Sequence, residues 1–204
     1  MQKSFLSLSL ALLLITGCND PSNKASTSIA EKTIEAISGN KIDAVDITKV
    51  EKNNSIIDVA IGDENLKNHF KNSFGSITAS KETIAITIAQ VDGGQDNIVM
   101  GFTGKDLTAL SPITGKITKG ENDGFTFSIM KVTQNSGMEV LISFEAEGEI
   151  TTLQKDKVVI KVKGKIGSSS DAENPDKWQA YEGTITLNYP VFQALGSKKE
   201  DFLY

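Results

Sequence analysis

The stretch MEVLISFEAEGEITTLQKDKVVIKVKGKI, residues 138–166, decides the fold class. In its first half Glu145, Glu147 and Glu149 alternate with Phe144, Ala146, Gly148 and Ile150. In its second half Lys161, Lys163 and Lys165 alternate with Ile160, Val162, Gly164 and Ile166. A period of two places each set on one face of a strand. Paired antiparallel about Lys155, with Gln154-Lys155-Asp156 as the turn, the two halves match. Glu149 then faces Lys161, Glu147 faces Lys163 and Glu145 faces Lys165, while Phe144 lies opposite Ile166 and Ile150 opposite Ile160. A slip of one residue would mix the faces, so the register is specified. The expectation is an antiparallel sheet with one face buried and the other in water.

The same alternation recurs along the chain. Val45 and Ile47 match Val59 and Ile57 across Glu51-Lys52-Asn53. Ile84, Ile86 and Ile88 match Ile98, Met100 and Phe102 across Asp92-Gly93-Gly94, a hairpin pattern. Ile117 and the Phe125, Phe127, Ile129 set flank Glu121-Asn122-Asp123-Gly124, which reads as a turn, and Gln134-Asn135-Ser136-Gly137 reads as another. A last strand runs from Tyr181 through Ile185 and Leu187 to Tyr189 and stops at Pro190. Two short helices are expected near the N-terminus. One starts at the capping box Ser28-Ile29-Ala30-Glu31 and stops at Gly39; the other is capped by Asp63 and spans Glu64–Ser73, with Leu66, His69, Phe70 and Phe74 on one side. No helix-length apolar pattern separates the strands, which argues against parallel crossovers. The fold expected is all-β: an antiparallel meander of about nine strands, forming a β-sandwich or an up-and-down barrel. Periodicity does not separate those two.

Composition narrows the function classes. Hydrophobic residues make up 39% and charged residues 23% of 204, ordinary for a globular domain with a real core. All 21 basic residues are lysine, so the chain has no bidentate guanidinium fork. With a net charge of −5 and no arginine, it is a poor match for nucleic acid, whose affinity comes largely from phosphate neutralisation.

The N-terminus carries the clearest address. Lys3 precedes an apolar run from Phe5 to Ile15, a signal-peptide layout too short for a permanent span. Leu14-Ile15-Thr16-Gly17-Cys18 resembles the lipobox of bacterial lipoproteins, and Cys18 is the only cysteine. The resemblance implies that Cys18 receives a thioether-linked diacylglycerol, becomes the new N-terminus and is acylated, with palmitate for example, on its amine. More than one acyl chain anchors stably. Residues 1–17 are thus expected as signal peptide, 18–27 as lipidated cysteine and flexible tether, 28–196 as one β-rich domain and 197–204 as a C-terminal tail that either docks or stays loose. The expected place is the bacterial cell envelope, at the outer membrane facing the periplasm. Asn19 and Asp20 leave the inner membrane open.

No constellation points to catalysis. Glu145, Glu147 and Glu149 have a spacing of about 6–7 Å along one strand face, compatible with paired acids for glycoside hydrolysis, yet the lysine partners account for them structurally. His69 is the only histidine and has no free thiol to serve as nucleophile beside it. Asp171, Glu173, Asn174 and Asp176 gather oxygen ligands of the kind calcium takes, without EF-hand spacing. Trp178 and Tyr181 sit where that loop enters the last strand, either packing there or forming a recognition spot for a sugar or a partner. The sequence therefore suggests no enzyme and no cofactor besides the lipid on Cys18. It suggests a binding or structural envelope component contacting the membrane and an envelope protein or glycan. A barrel carrying a small apolar ligand is the first alternative and an envelope hydrolase the second.

Overall fold

The computed structural model describes residues 52–91, 96–118, 121–133 and 137–204. The signal segment, Cys18, the tether, the helix from Ser28 and the Val45–Ile47 half of the first hairpin lie outside the described residues. The described part is mostly strand, with a few one-turn 3-10 helices. Its strands are β1 (Asn54–Ile61), β2 (Glu64–Asn65), β3 (Ser73–Ala79), β4 (Thr83–Gln90), β5 (Asn97–Thr103), β6 (Ile113–Thr118), β7 (Glu121–Asp123), β8 (Phe125–Thr133), β9 (Gly137–Leu153), β10 (Lys157–Ser168), β11 (Gln179–Asn188) and β12 (Val191–Ala194). They form a single mixed sheet in the order β12-β3-β4-β5-β8-β9-β10-β11-β1-β2, with β6 branching from β9 and β7 from β6.

Alternation does the sorting. Ile84, Ile86 and Ile88 of β4 lie opposite Phe102, Met100 and Ile98 of β5, and all six are fully buried. Phe125, Phe127 and Ile129 continue that face on β8, and Ile160, Ile185 and Leu187 continue it on β10 and β11. Each such side chain stabilises the fold by about 1.5–3 kcal/mol. Among the described residues the helices are single turns, and side chains of the buried face pack on one another. Phe127 stacks on Tyr181 of β11 at 4.9 Å, and Leu187 of β11 packs against Gly75 of β3. Where β1 approaches β3, the buried Asn53 amide stands in for a strand residue. Its Nδ2 donates to the Gly75 carbonyl at 2.9 Å, and the Gly75 N–H donates to its Oδ1 at 3.0 Å.

The central hairpin has the expected charged register: Glu149 opposite Lys161, Glu147 opposite Lys163, Glu145 opposite Lys165, and Ile150 opposite Ile160. Phe144 does not face Ile166, which pairs with Ser143 instead. Register shifts at both ends of the ladder leave an extra residue on β9, and such bulges bend a strand and turn its side chains over. β9 is thereby able to pair with β8 through its first half and with β6 through its second.

Three other expectations need correction, and one strand was missed. Asp63 caps no helix over Glu64–Ser73. Glu64 and Asn65 form β2, Asn65 caps a one-turn 3-10 helix at Leu66–Asn68, and Ser73 opens β3. β3 escaped notice because its inward positions include Ser73 and Gly75, which blunt the alternation. Residues 121–123 are strand rather than turn. β6 and β7 pair directly, and the bend falls at Gly124, whose φ of +83° suits glycine. The sheet is not wholly antiparallel, because β12 pairs parallel to β3. No helix is needed for that pair, since the strands between them carry the chain around.

The C-terminal tail docks. Phe202 is buried, and Tyr204 exchanges two backbone hydrogen bonds with Leu153. Its phenol oxygen accepts from the Ile113 N–H at 2.9 Å and donates to the Ile150 carbonyl.

Candidate functional site

The outer face of β6, β9, β10 and β11 carries the densest charge in the described chain. Register aligns Lys116, Glu147, Lys163 and Glu182 in one row across four strands, each acid beside a lysine. The next row reads Thr114, Glu149, Lys161, Thr184. Ion pairs close at 2.8 Å between Lys163 and Glu147 and at 3.1 Å between Lys165 and Glu145. Two adjoining clefts of about 680 and 850 Å³ share Lys116, Glu147, Lys163 and Glu182 on their walls. Thr103, Thr114 and Thr184 line the larger one.

No protein-family model matches the chain, and no curated protein or solved structure matches it either. Its chemistry has to be read from its own groups. The Lys163 hydrogen bond holds the Glu147 carboxyl below the ordinary carboxylate range, with the Lys163 and Lys116 charges adding to the effect. Reciprocally, the bond to Glu147 and the charges of Glu147 and Glu182 raise Lys163. A carboxyl held ionised in this way is a poor proton donor near neutrality, and glycoside hydrolysis needs a donor of raised pKa. Instead the row presents ammonium donors and carboxylate acceptors at strand spacing, with threonine hydroxyls alongside. Such a row can make charge-assisted hydrogen bonds to a polar or zwitterionic surface. Lys116 and Glu182, which complete the row, were missed by the two-strand pattern; their signal was their own outward positions on β6 and β11.

His69 belongs to a second cluster, at the other end of β9. Its Nε2 contacts one Glu64 oxygen, and Lys131 Nζ lies 2.7 Å from the other. Lys131 is buried, although it is a lysine. Its hydrogen bond is the largest cause keeping the Glu64 carboxyl below its usual range, with the charges of Lys131 and His69 contributing further. Asp96 Oδ1 accepts the Val132 N–H at 2.6 Å, and Gln90 Nε2 donates to Asp96 Oδ2 at 3.4 Å and to the His69 carbonyl. The cluster ties the β2 loop and the start of β5 to the β8–β9 hairpin. It holds no nucleophile. The signal for Lys131 was its position at i+2 from Ile129 on an inward-facing set.

The remaining candidates are dispersed. Asp171 gives Oδ1 to Lys177 at 3.0 Å and its carbonyl to the Trp178 indole N–H at 2.8 Å. Glu173, Asn174 and Asp176 stay exposed. Among the described residues no group of three or more His, Cys, Asp or Glu could hold a metal ion. Trp178 stacks on Phe144 at 4.6 Å. Tyr181 is buried against Phe127 and shares a 2.9 Å hydrogen bond with the Ser143 hydroxyl, and desolvation raises its pKa. Among the described residues no helix is long and apolar enough to cross a membrane.

Proposed function

We propose that this chain is a lipid-anchored bacterial envelope protein whose β domain, at the outer membrane and facing the periplasm, binds a polar envelope component through its charged clefts. One observation carries the anchor: the only cysteine of the chain closes the Leu14–Cys18 motif behind a signal-like apolar run. The mixed-sign row Lys116, Glu147, Lys163, Glu182 supports binding over catalysis, because its acids are neutralised by neighbours rather than poised to donate protons. We read the shape as a closed barrel, because the Asn53–Gly75 hydrogen bonds join the residue before β1 to β3, near opposite ends of the strand order. The interior positions of β4, β5 and β8 pack against one another, and the larger of the two clefts is lined mainly by charged and threonine side chains, which favours surface binding over carriage of an apolar ligand.

The test is radiolabelled palmitate uptake by the wild-type chain and by Cys18→Ala, followed by affinity purification from envelope fractions. Label in the wild type alone, with a co-purifying component lost on Lys163→Glu, is the expected result. A wild type that takes up no label overturns the anchor; a component retained by Lys163→Glu overturns the cleft.

A further inference from the structure

Outward-facing residues divide the domain into two unlike surfaces. On β6, the second half of β9, β10 and β11 they are lysine, glutamate and threonine. On β3, β4, β5 and β8 they carry no charge at all: Ser76 and Thr78, Ala85 and Thr87, Asn97 and Val99, Ser128 and Met130. This neutral surface becomes apolar where the β8–β9 hairpin begins. Met130 pairs with Val140 and Val132 with Met138, and Val91 follows β4 at the same end. Val91, Val132, Met138 and Val140 are 60%, 38%, 53% and 37% exposed, four of the seven large hydrophobic residues left in water among those described.

The ribbon that bears them is fixed from behind. Lys131 turns inward to Glu64, and the Val132 N–H is held by Asp96. Buried charges thus position a segment whose other side exposes Val132, Met138 and Val140. We infer that this neutral face, led by Val132, Met138 and Val140, docks on the surface of a lipid bilayer.

The inference rests on the anchored reading above and deepens it. Three observations favour a bilayer over a second copy of the chain. Four protruding side chains fall far short of the ~20–30 residues per partner of a stable protein interface. Residues 19–51 separate Cys18 from the first described residue, and extended they span at most about 110–120 Å, so an anchored domain meets the bilayer at high effective concentration and a small patch suffices. Finally, the outward positions of β3, β4, β5 and β8 carry no acid that an anionic bilayer would repel, and Glu139 is the exposed acid on the ribbon between Met138 and Val140.

The experiment uses the acylated chain in phosphatidylethanolamine–phosphatidylglycerol vesicles with single cysteines introduced at Met138→Cys, Val140→Cys and, on the charged side, Lys161→Cys. Each is labelled with a maleimide fluorophore. Acylated Cys18 does not react, so the parent chain should stay dark. The expected result is that nitroxide lipids quench the labels at 138 and 140 and that aqueous iodide loses access to them, with the reverse at 161. Equal iodide access at all three positions, with a dark parent chain floating with vesicles, overturns the docking and leaves the anchor standing. A parent chain that labels at Cys18 overturns the anchor and with it the bilayer as occupant. Self-quenching between labels at 140 that grows with protein density assigns the face to a second copy and overturns the proposal.

Discussion

Lys131 Nζ lies 2.7 Å from Glu64 Oε2, joining a buried lysine on β8 to a half-exposed glutamate on β2. Truncating one partner of a fully buried pair costs about 3–5 kcal/mol. Glu64 is 44% exposed, so water screens part of that charge, and Glu64→Gln is expected to cost about 1–2 kcal/mol. Lys131→Met, which completes the apolar line of Phe127 and Ile129, should stay within about 1 kcal/mol of wild type. Urea denaturation of the two single variants and the double variant measures both. An additive cycle would show that the pair contributes nothing beyond its separate residues.

The same pair sets an acid limit. The folded carboxyl of Glu64 lies below its ordinary 4.5, and that of Glu147 does likewise. A depressed carboxylate contributes stability that is complete above the unfolded value and is lost as pH falls through the folded one. The urea midpoint should therefore be flat from neutrality down to about pH 5 and then decline. Lys163 acts in the other direction: its folded value is raised, so its contribution holds below 10.5 and fades only at higher pH. Glu64→Gln should soften the acid decline. An unchanged acid profile in that variant would remove Glu64 from the account.

Glu147→Lys would set three lysines side by side across β6, β9 and β10, because Lys116 and Lys163 flank that position. Its melting temperature should fall, more in low salt than in high, since exposed charges are screened. Adding Lys163→Glu should recover only part of the loss, because the new acid then lies beside Glu182 while the new lysine still lies beside Lys116. A fall that salt does not relieve would mean that Glu147 acts through packing rather than charge.

How far these features could be read from sequence depended on side-chain size. Glu145 to Ile150 and Ile160 to Lys165 carry a charge at every second position without a break, so their register was legible to the residue despite the small Ala146, Gly148 and Gly164 between the charges. β4 and β5 were legible for the same reason. β3 was not: Ser73 and Gly75 are inward positions with little or no apolar surface, and the register of Ile77 alone does not declare a strand. Bulges also escaped, since nothing in Ser143 or Phe144 marks the place where β9 turns its faces over. The charged row was half visible. Its β9–β10 pairs adjoin in sequence, whereas Lys116 and Glu182 join it only through strands β6 and β11 far along the chain. Lys131 was legible in hindsight as a polar residue on an apolar set, but its partner Glu64 lay in a segment whose alternation is too short to read.

The tail was open to either reading, and its docking makes a sharp prediction. Phe202 is 2% exposed and lies 6.1 Å from Phe192 of β12, centroid to centroid. Phe202→Ala should cost about 3–5 kcal/mol, the range for a buried phenylalanine. Tyr204→Phe removes only the hydroxyl that joins Ile113 to Ile150 and should cost about 1 kcal/mol. Thermal unfolding of both variants checks this. Wild-type stability in Phe202→Ala would mean that the tail is not part of the cooperative fold.

Gly148 tests whether the crossing of β8 over β9 is as tight as it looks. Gly148 lies between Gly115 of β6 and Val162 of β10, and a Cβ there would clash with Cε2 at the edge of the Phe125 ring. Phe125 has nowhere to yield, since it is fully buried and packs against Phe102 with centroids 4.9 Å apart. Gly148→Ala is therefore expected to cost about 1–3 kcal/mol as overpacking, despite the better strand propensity of alanine. Phe125→Leu opens a cavity and is costly alone, but leucine lacks the far edge of the ring that the new methyl would meet. Combined, the two changes should cost less than the sum of their separate effects, by about 0.5–3 kcal/mol for contacting residues. Unfolding midpoints of the four proteins decide it. Strict additivity would show that the methyl finds room without moving Phe125, and that some other contact accounts for glycine at this crossing.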